Sequence, residues 1–567
     1  MYGPGPKFEN GMLEIPLLES VTMLAECADL VLLNGKIISM DRRDRIFEAV
    51  AVRHGRIIAV TSNKQVVRLI GKNTRVLDLG GKAVTPGLID THSHLALAGV
   101  NKTSTMDFMD PPTGSVQEIV DRVKERVSKS CLGDWVIGRN WDETLLKERR
   151  YISKWDLDPV SQHNPVVLFH VSGHALVANT LTLRLAGVDA ATADPEGSIL
   201  KDGNGEPTGV LKDSALGYVL ERIPPWTVQQ LDEGIKKIQE EWIREGITAN
   251  KDPGLMSDCA PMLQAYRNLH AKKQLKIRSC LLWKAFKPDD VVRASSEVSA
   301  KGDEMLKVVG VKTFVDGSLR IRTAWMHDEY NIGYDQVDVG NKGQAVIDLG
   351  TLEKLVLEAH RRGLQACIHA VGDRAIDATL DVLENVVKKS PRRDHRHSII
   401  HFTIPRRKAL RRVKALGAVV ETQSSFLYFI GDILAGNLGP KRSKKVMPLR
   451  SCVRMGITVG NSADCDFYPL PPRFGLYAAC TRRPAVEAYG REPLGTTECL
   501  TVREALRTYT SWAARCLFWE DKIGSIEPGK YGDFAVWSED PYSVPKERLK
   551  DLKVEMTIIG GDIVYAA

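Results

Sequence analysis

The chain has 567 residues, 43% of them hydrophobic and 26% charged, with a formal net charge of +7. That length exceeds what one core requires, so more than one structural unit is expected, and the composition excludes disorder, collagen and coiled coil. The basic excess is dispersed: the clusters Lys441, Arg442, Lys444, Lys445 and Arg392, Arg393, Arg396 do not alternate with aromatics, so they read as solvated faces and no nucleic-acid partner is expected.

Residues 1–27 open with Met-Tyr-Gly-Pro-Gly-Pro and carry Glu9, Glu14 and Glu19. A secretory signal needs a basic start and an unbroken apolar core, so none is expected, and the segment reads as a loosely attached arm. No run reaches the roughly 18 apolar residues of a membrane span. The ten cysteines include no C-x-x-C pair and mostly lie in apolar runs, as in Gln365-Ala-Cys367-Ile. Buried free thiols in a reducing, cytoplasmic compartment are expected.

Residues 29–37 read as strand, Asn-Gly turn and return strand; 48–60 repeat the pattern around His54-Gly55, and Val76-Leu-Asp-Leu follows. The C-terminus is similar: Asp533-Phe-Ala-Val-Trp, Val554-Glu-Met-Thr-Ile-Ile, a Gly560-Gly561 turn and Ile563-Val-Tyr. Each end is too thin to hold a core alone. The two are therefore expected to pair into one small β-sandwich, residues 28–84 with 521–567, and residues 85–520 would be inserted between them.

That middle alternates apolar runs with amphipathic helices, the pattern of parallel strands with crossovers. Ser115-Val-Gln-Glu118, Thr227-Val-Gln-Gln230 and Thr501-Val-Arg-Glu504 are capping-box matches that open helices. Strands are expected at 87–92, 247–250, 277–282, 308–315, 365–369, 398–401, 419–422 and 458–462. Eight is the number of a closed (β/α)8 barrel, so the fold class is α/β, a TIM-like barrel plus the sandwich. The count makes residues from about 100 to 240 a large insertion after the first barrel strand. This insertion has strand candidates of its own (Trp135-Val-Ile-Gly and Val166-Val-Leu-Phe-His) and would cover the barrel mouth.

Asp90-Thr-His92-Ser-His94 follows an apolar strand, and side chains at i and i+2 of a strand share a face. Two convergent imidazoles are half a metal site. Further ligand-type residues end their own strands: Lys312, His369 and His401, with Asp464 after the last strand. Strand C-termini form the active-site face of such a barrel, so these groups converge. His401 is preferred to His395 and His397 because it ends its apolar run. An ammonium beside a dication is repelled, so Lys312 needs a lowered pKa or conversion by CO2 to a carbamate that bridges metals through oxygen. Otherwise it is a snorkelling lysine or a partner of Asp316. Lys251 is its rival, on the second strand.

Together these residues resemble the amidohydrolase superfamily, and within it the YtcJ-like, amidohydrolase 3 branch that includes N-substituted formamide deformylases. The resemblance runs from about residue 28 to the end. It is carried by Pro86-Gly-Leu-Ile-Asp-Thr-His-Ser-His94, Gly138-Arg-Asn-Trp-Asp142, Ser172-Gly-His-Ala175 with Asn179, and Lys312-Thr-Phe-Val-Asp-Gly-Ser318. Arg322-Thr-Ala324, Gly460-Asn-Ser-Ala-Asp464, Ala479-Cys-Thr-Arg482 and Gly524-Ser-Ile-Glu-Pro-Gly-Lys530 complete the series. It implies His92 and His94 on a first metal with Asp464, His369 and His401 on a second, and carboxylated Lys312 between them. The chain departs from the branch at Ile400, where glutamate usually stands, at Ala-Asn-Lys-Asp-Pro on strand two, and at Ser462-Ala-Asp-Cys-Asp466, where Asp466 is a second candidate ligand.

The expected activity is hydrolysis of an amide-type C–N bond (N-acyl, N-formyl or cyclic amide) of a small apolar or aromatic substrate by a metal-activated water. Zinc is the expected ion, one or two per chain, with manganese or iron as alternatives. Asp464 would move the proton, and the second metal or a donor such as His174 would polarise the carbonyl. Trp141, Asp142, Arg322 and Phe426, from the aromatic run Ser424–Phe429, are candidate substrate contacts. The alternatives are a one-metal site running deamination, hydration, isomerisation or ester hydrolysis, and a non-catalytic scaffold, which would be expected to lose ligands that this chain retains. A homodimer is left open.

Overall fold

The computed structural model describes residues 27–143, 145–171, 173, 175–194, 198–212, 215–254, 259–297, 303–331, 340–485 and 493–567. The expected arm at 1–27 therefore lies outside them, apart from Cys27.

Two sheets carry the chain ends. One has the strand order Arg56–Thr61, Ala49–Arg53, Leu30–Leu33, Arg75–Asp78. The other runs Asp562–Ala566, Val554–Ile559, Phe534–Trp537, Ala83–Pro86, Lys36–Ile38, Ile46–Phe47. Its central pairing joins the termini antiparallel, with Phe534 opposite Pro86 and Val536 opposite Val84. Alternate residues of both sheets (Leu30, Leu32, Val50, Val52, Val84, Phe534, Val536 and Ile558) bury against one another as one apolar layer.

The centre is an eight-stranded parallel sheet. In chain order its strands are β1 Leu88–Asp90, β2 Ile247–Asp252, β3 Arg278–Lys284, β4 Leu306–Phe314, β5 Gln365–Ala370, β6 Ser398–His401, β7 Val419–Thr422 and β8 Val459–Asn461. β1 and β8 come together where Thr91 N donates to Asn461 O at 3.2 Å, so the sheet curls into a nearly closed barrel. The strands are buried on both faces, which is why they read as continuous apolar runs rather than alternating ones.

Between β1 and β2 the chain forms a separate six-stranded sheet, ordered Ile199–Lys201, Pro207–Lys212, Ala175–Ala178, Val166–His170, Val136–Trp141, Met106–Asp107. The helices flanking this excursion are α1 (Leu95–Ser104) and α2 (Val228–Arg244), and they pack directly together. The approach requires glycine: a Cβ on Gly99 would meet the carbonyl carbon of Gly234 at 2.4 Å. Ser115, Thr227 and Thr501 each accept from the amide three residues on, as capping residues do. At Ser115 the reciprocal bond is displaced, because the Glu118 carboxylate accepts from Gly114 N instead.

Of the basic clusters read as solvated faces, Arg396 is the exception. It is buried and paired with Asp394 and Glu520. All ten cysteines are free thiols, six of them buried. Among the described residues no helix is long and apolar enough to cross a membrane.

Candidate active site

The register of the parallel strands sets which side chains meet at their C-terminal ends. Lys284 on β3 lies beside Lys312 on β4, Phe314 lies beside His369 on β5, and Ala370 beside His401 on β6. The strand-one turn brings His92 and His94 to the same rim. Donor atoms of His92, His401 and Asp464 all lie within 4.8 Å of one another. His94 Nε2 is 3.6 Å from Asp464 Oδ1, as is His92 Nε2. The His369 and His401 rings are 4.3 Å apart between centroids. Lys312 Nζ is 3.3 Å from His92 Nε2. The six ligand candidates thus share one space at the rim, where His401 has a donor atom within 4.8 Å of those of His92 and Asp464 and its ring packs against His369, the partner that the resemblance implies.

Neighbouring groups fix how each ring presents itself. His401 Nδ1 donates to Gln423 Oε1 at 2.7 Å, and Gln423 in turn donates to Ser462 Oγ at 2.9 Å. His94 Nδ1 donates to Gly254 O at 3.2 Å. Each bond leaves Nε2 as a bare lone pair directed into the site, the usual arrangement behind a metal-binding imidazole. His369 is held the other way round, with Nε2 donating to Gly317 O at 3.0 Å and Nδ1 left as acceptor. His92 Nδ1 is buried with no hydrogen-bond partner among the described residues.

Two buried carboxylates brace the rim, one of them, Asp316, with its Oδ1 3.7 Å from His369 Nε2. Asp90 accepts from His92 N at 3.0 Å and from Ala463 N at 2.9 Å, which ties the first-strand turn to the Asp464 loop. Asp316 accepts from Val371 N, Gly372 N and Trp325 N, fixing the turn after His369. Both ligand loops also contain left-handed backbone, at Asp464 (φ 56°) and at His401 (φ 71°) and Phe402 (φ 47°). Such conformations are costly for residues with a Cβ and persist where surrounding contacts impose them.

Burial sets the electrostatics. It holds His92, His94 and His401 far below the ordinary imidazole range, helped by Lys312 or Lys284, and lowers His369 to about 3. Burial also pulls Lys312 down to about 7 and pushes Asp464 up to about 6, each partly offset by the other's charge. All four rings are therefore neutral, as metal ligands must be. Neutral imidazoles with directed lone pairs, one carboxylate and an orphaned ring nitrogen form a donor set suited to a divalent transition ion.

The candidate substrate contacts fall in different places. Phe426 stacks over His401 at 6.3 Å and touches Tyr468 at 4.4 Å, so it lines the site. Arg322 is tied to Asn437 Oδ1 at 3.0 Å. Trp141 is fully buried in the core of the insertion, where its Nε1 donates to Leu168 O, and it presents no surface to a substrate. Asp142 is half-buried and lies with Glu143 and His170, their ligand-type atoms within 4.8 Å of one another. His174 lies outside the described residues.

The rivals resolve by position. Lys251 is wholly buried inside the barrel and paired with Glu421 on β7. His395 and His397 stack together beside His360, before β6 rather than at its end. Asp466 is engaged by Arg139 and Asn101. Lys284 was missed: it is buried at the rim, its Nζ 5.1 Å from the Phe314 ring, and burial lowers it to about 8. Its signal is a lysine that ends an apolar strand, whereas Lys312 stands two residues before the end of its own.

A model described as Amidohydrolase family matches residues 75–565. The putative amidohydrolase YtcJ of Bacillus subtilis (strain 168) is 29% identical over 523 residues, covering 91% of this chain and 96% of that protein. The N-substituted formamide deformylase of Arthrobacter pascens is 26% identical, with 96% and 99% covered. A crystal structure of an uncharacterized metal-dependent hydrolase from Pyrococcus horikoshii OT3 superposes with a TM-score of 0.75 at 26% identity, covering 91% of this chain and 99% of that one. Over a span that takes in the barrel and strands from both chain ends, the chain belongs to the amidohydrolase family.

Proposed function

We propose that this chain is a metal-dependent hydrolase that cleaves an amide-type C–N bond of a small substrate with an apolar or aromatic group. The observation that carries the reading is the meeting of His92, His401 and Asp464 donor atoms within 4.8 Å at the strand ends. His92, His94, His401 and Asp464 would hold a divalent ion, zinc by donor type, with His369 and Lys312 beside them. Such an ion supplies Lewis acidity that brings a water's proton within reach of a carboxylate at neutral pH.

The chain's own groups do the rest. Asp464 accepts the proton as the water oxygen attacks the carbonyl carbon, and delivers it to the nitrogen as the C–N bond breaks, leaving a carboxylic acid and an amine. Gln423 and Gly254 O keep His401 and His94 in the tautomers that leave Nε2 free. Phe426 and Tyr468 give the substrate's apolar part a wall and keep bulk water from the reacting carbon. The deformylase relative favours an N-formyl or N-acyl amine as substrate.

Lys312 is proposed to carry CO2 as a carbamate: Nζ attacks the carbon, one proton leaves to solvent, and two oxygens become available as ligands. Its burial and its approach to His92 support this. A Lys312→Ala chain should lose metal and regain it with short-chain carboxylic acids, whereas unchanged metal content would contradict the carbamate.

A second reading, one ion and a different hydrolytic or deaminating reaction, is favoured by the compact set holding three groups rather than six. A panel of N-formyl, N-acyl and cyclic amides, esters and amino-heterocycles tests both, with chelated and zinc-restored arms. Chelator-sensitive amine release from amides, lost in Asp464→Asn, is expected. Amide turnover indifferent to chelation and to that change would overturn the proposal.

A further inference from the structure

In the run Gly138–Asp142, part of the family resemblance, Arg139 and Asn140 turn their polar groups to Asp466 and Asp107. Arg139, on insertion strand Val136–Trp141, pairs through Nη1 with Asp466 Oδ2 and through Nη2 with Asp107 Oδ2 at 3.2 Å. Asn140 Nδ2 donates to the same Asp107 oxygen at 2.9 Å. On the other side, Asn101 Nδ2 on α1 donates to Asp466 Oδ2 at 2.5 Å. The strand bulges between Arg139 and Trp141, with Asn140 left-handed at φ 64°, which separates a polar edge (Arg139, Asn140) from the buried Trp141. A bulge re-aims side chains in this way.

Asp466 lies two residues from Asp464, in a loop stitched to the first-strand turn. Asp464 N donates to His92 O at 3.1 Å, His94 N donates to Cys465 O, and Cys465 N donates to Ser93 Oγ at 3.2 Å. These bonds set the loop against the two histidines, but none of them joins it to the insertion. Asp464 itself holds left-handed backbone, which an unsupported loop would relax. The Arg139 clamp is the charged contact that ties the loop to the insertion. It is largely shielded, the Arg139 and Asp466 side chains keeping 21% and 14% of their exposure, so solvent and salt screen it less than an exposed pair, and removing one partner leaves the other charge poorly solvated.

We infer that Arg139 is a positioning residue for the metal centre: acting through Asp466, it holds the Asp464 loop in ligand geometry and makes the insertion part of the site rather than only its cover. The inference rests on the reading of Asp464 and His94 as ligands. Arg139 touches neither the ligand atoms nor the space between them.

The test is zinc affinity of the full chain, measured by competition with a chromogenic chelator, together with amide hydrogen exchange over residues 463–467 in the zinc-free chain. Arg139→Met and Asp466→Asn are each expected to weaken zinc binding by about 10–100-fold, the range for partners that orient ligands. Their amides at 463–467 should exchange faster while the melting temperature changes little. Arg139→Lys should recover part of the affinity. The double variant Arg139→Met/Asp466→Asn should be no weaker than the worse single change, because both remove one contact. Wild-type zinc affinity in Arg139→Met, or equal losses with no rescue by lysine and no added loss of protection at 463–467, would overturn the inference. Zinc affinity unchanged in Asp464→Asn while Arg139→Met weakens it would instead overturn the ligand reading on which the inference stands.

Discussion

The Lys251 ammonium on β2 and the Glu421 carboxylate on β7 form an ion pair with both side chains at 0% exposure, beneath the metal-site rim. Gln365 Oε1 at 3.2 Å and Cys516 O at 3.4 Å take further Lys251 hydrogens. Burial opposes the Lys251 charge, and Cys367 and Glu421 beside it hold the lysine as a cation, a form that does not react with CO2.

Removing one member should therefore cost more than removing both. Lys251→Met leaves a buried carboxylate alone and should destabilise the chain by about 3–5 kcal/mol, while Lys251→Met/Glu421→Leu should recover most of that loss. Denaturant unfolding of the wild type, Lys251→Met, Glu421→Leu and the double variant checks it. A double variant as unstable as the sum of the singles would show that no coupling exists.

Gln423 is the hydrogen-bond acceptor that orients His401. Gln423→Leu keeps the volume and removes the bond, so zinc affinity should fall by about 10–100-fold with little change in stability. Competition with a zinc chelator measures it. Wild-type affinity in this variant would mean His401 is oriented by something else.

Three buried histidines away from the rim link protons to folding. Ala366 N donates to His397 Nδ1 at 2.9 Å, His397 Nε2 to His360 Nδ1 at 2.8 Å, and His360 Nε2 to Ser390 O at 2.6 Å. His397 N donates to His395 Nδ1 at 3.0 Å, so the acceptor nitrogen of each of the three rings is already occupied and leaves no place for an extra proton. Burial, reinforced by neighbouring histidines and Arg392 and opposed at His395 by Asp394, holds all three below the ordinary range, His395 at about 4. In the unfolded chain the same rings take up protons near pH ~6.5. The folded state thus keeps its full contribution above that value and loses it as pH falls towards 4. The melting temperature should drop through that window, and less steeply in His395→Gln. Equal slopes in both chains would contradict the assignment.

The contact between α1 and α2 leaves no room for a side chain at Gly99. Gly99→Val should destabilise by about 1–3 kcal/mol or more through overpacking, read by denaturant unfolding. A neutral substitution would mean the helices separate easily there.

Much of this architecture can be read from the sequence because local signals suffice for it. Eight apolar runs give the barrel and strand-rich ends give a sheet shared by both termini, whereas His92 and His94, expected on one face of a strand, lie in the turn after it, because the strand ends at Asp90. What the sequence leaves open depends on depth and register. Whether His401 joins His369 or His92 is set by how far each strand reaches, and a one-dimensional pattern does not encode that reach. Trp141 looks like a pocket residue by motif but is drawn into the insertion's own core. Arg139 and Asp466 are 327 residues apart, and nothing local marks either as the other's partner. Lys284 ends its strand while Lys312 stands two residues before the end of its own, and only the register between the strands puts them side by side.

The central claim is that His92, His401 and Asp464 jointly hold a catalytic ion. Elemental analysis of the purified full chain beside His92→Ala/His401→Ala, after identical dialysis, tests it most directly. The wild type should keep about one or two divalent ions per chain and the double variant almost none, with its fold intact by circular dichroism. Equal metal content in the two folded chains would contradict it.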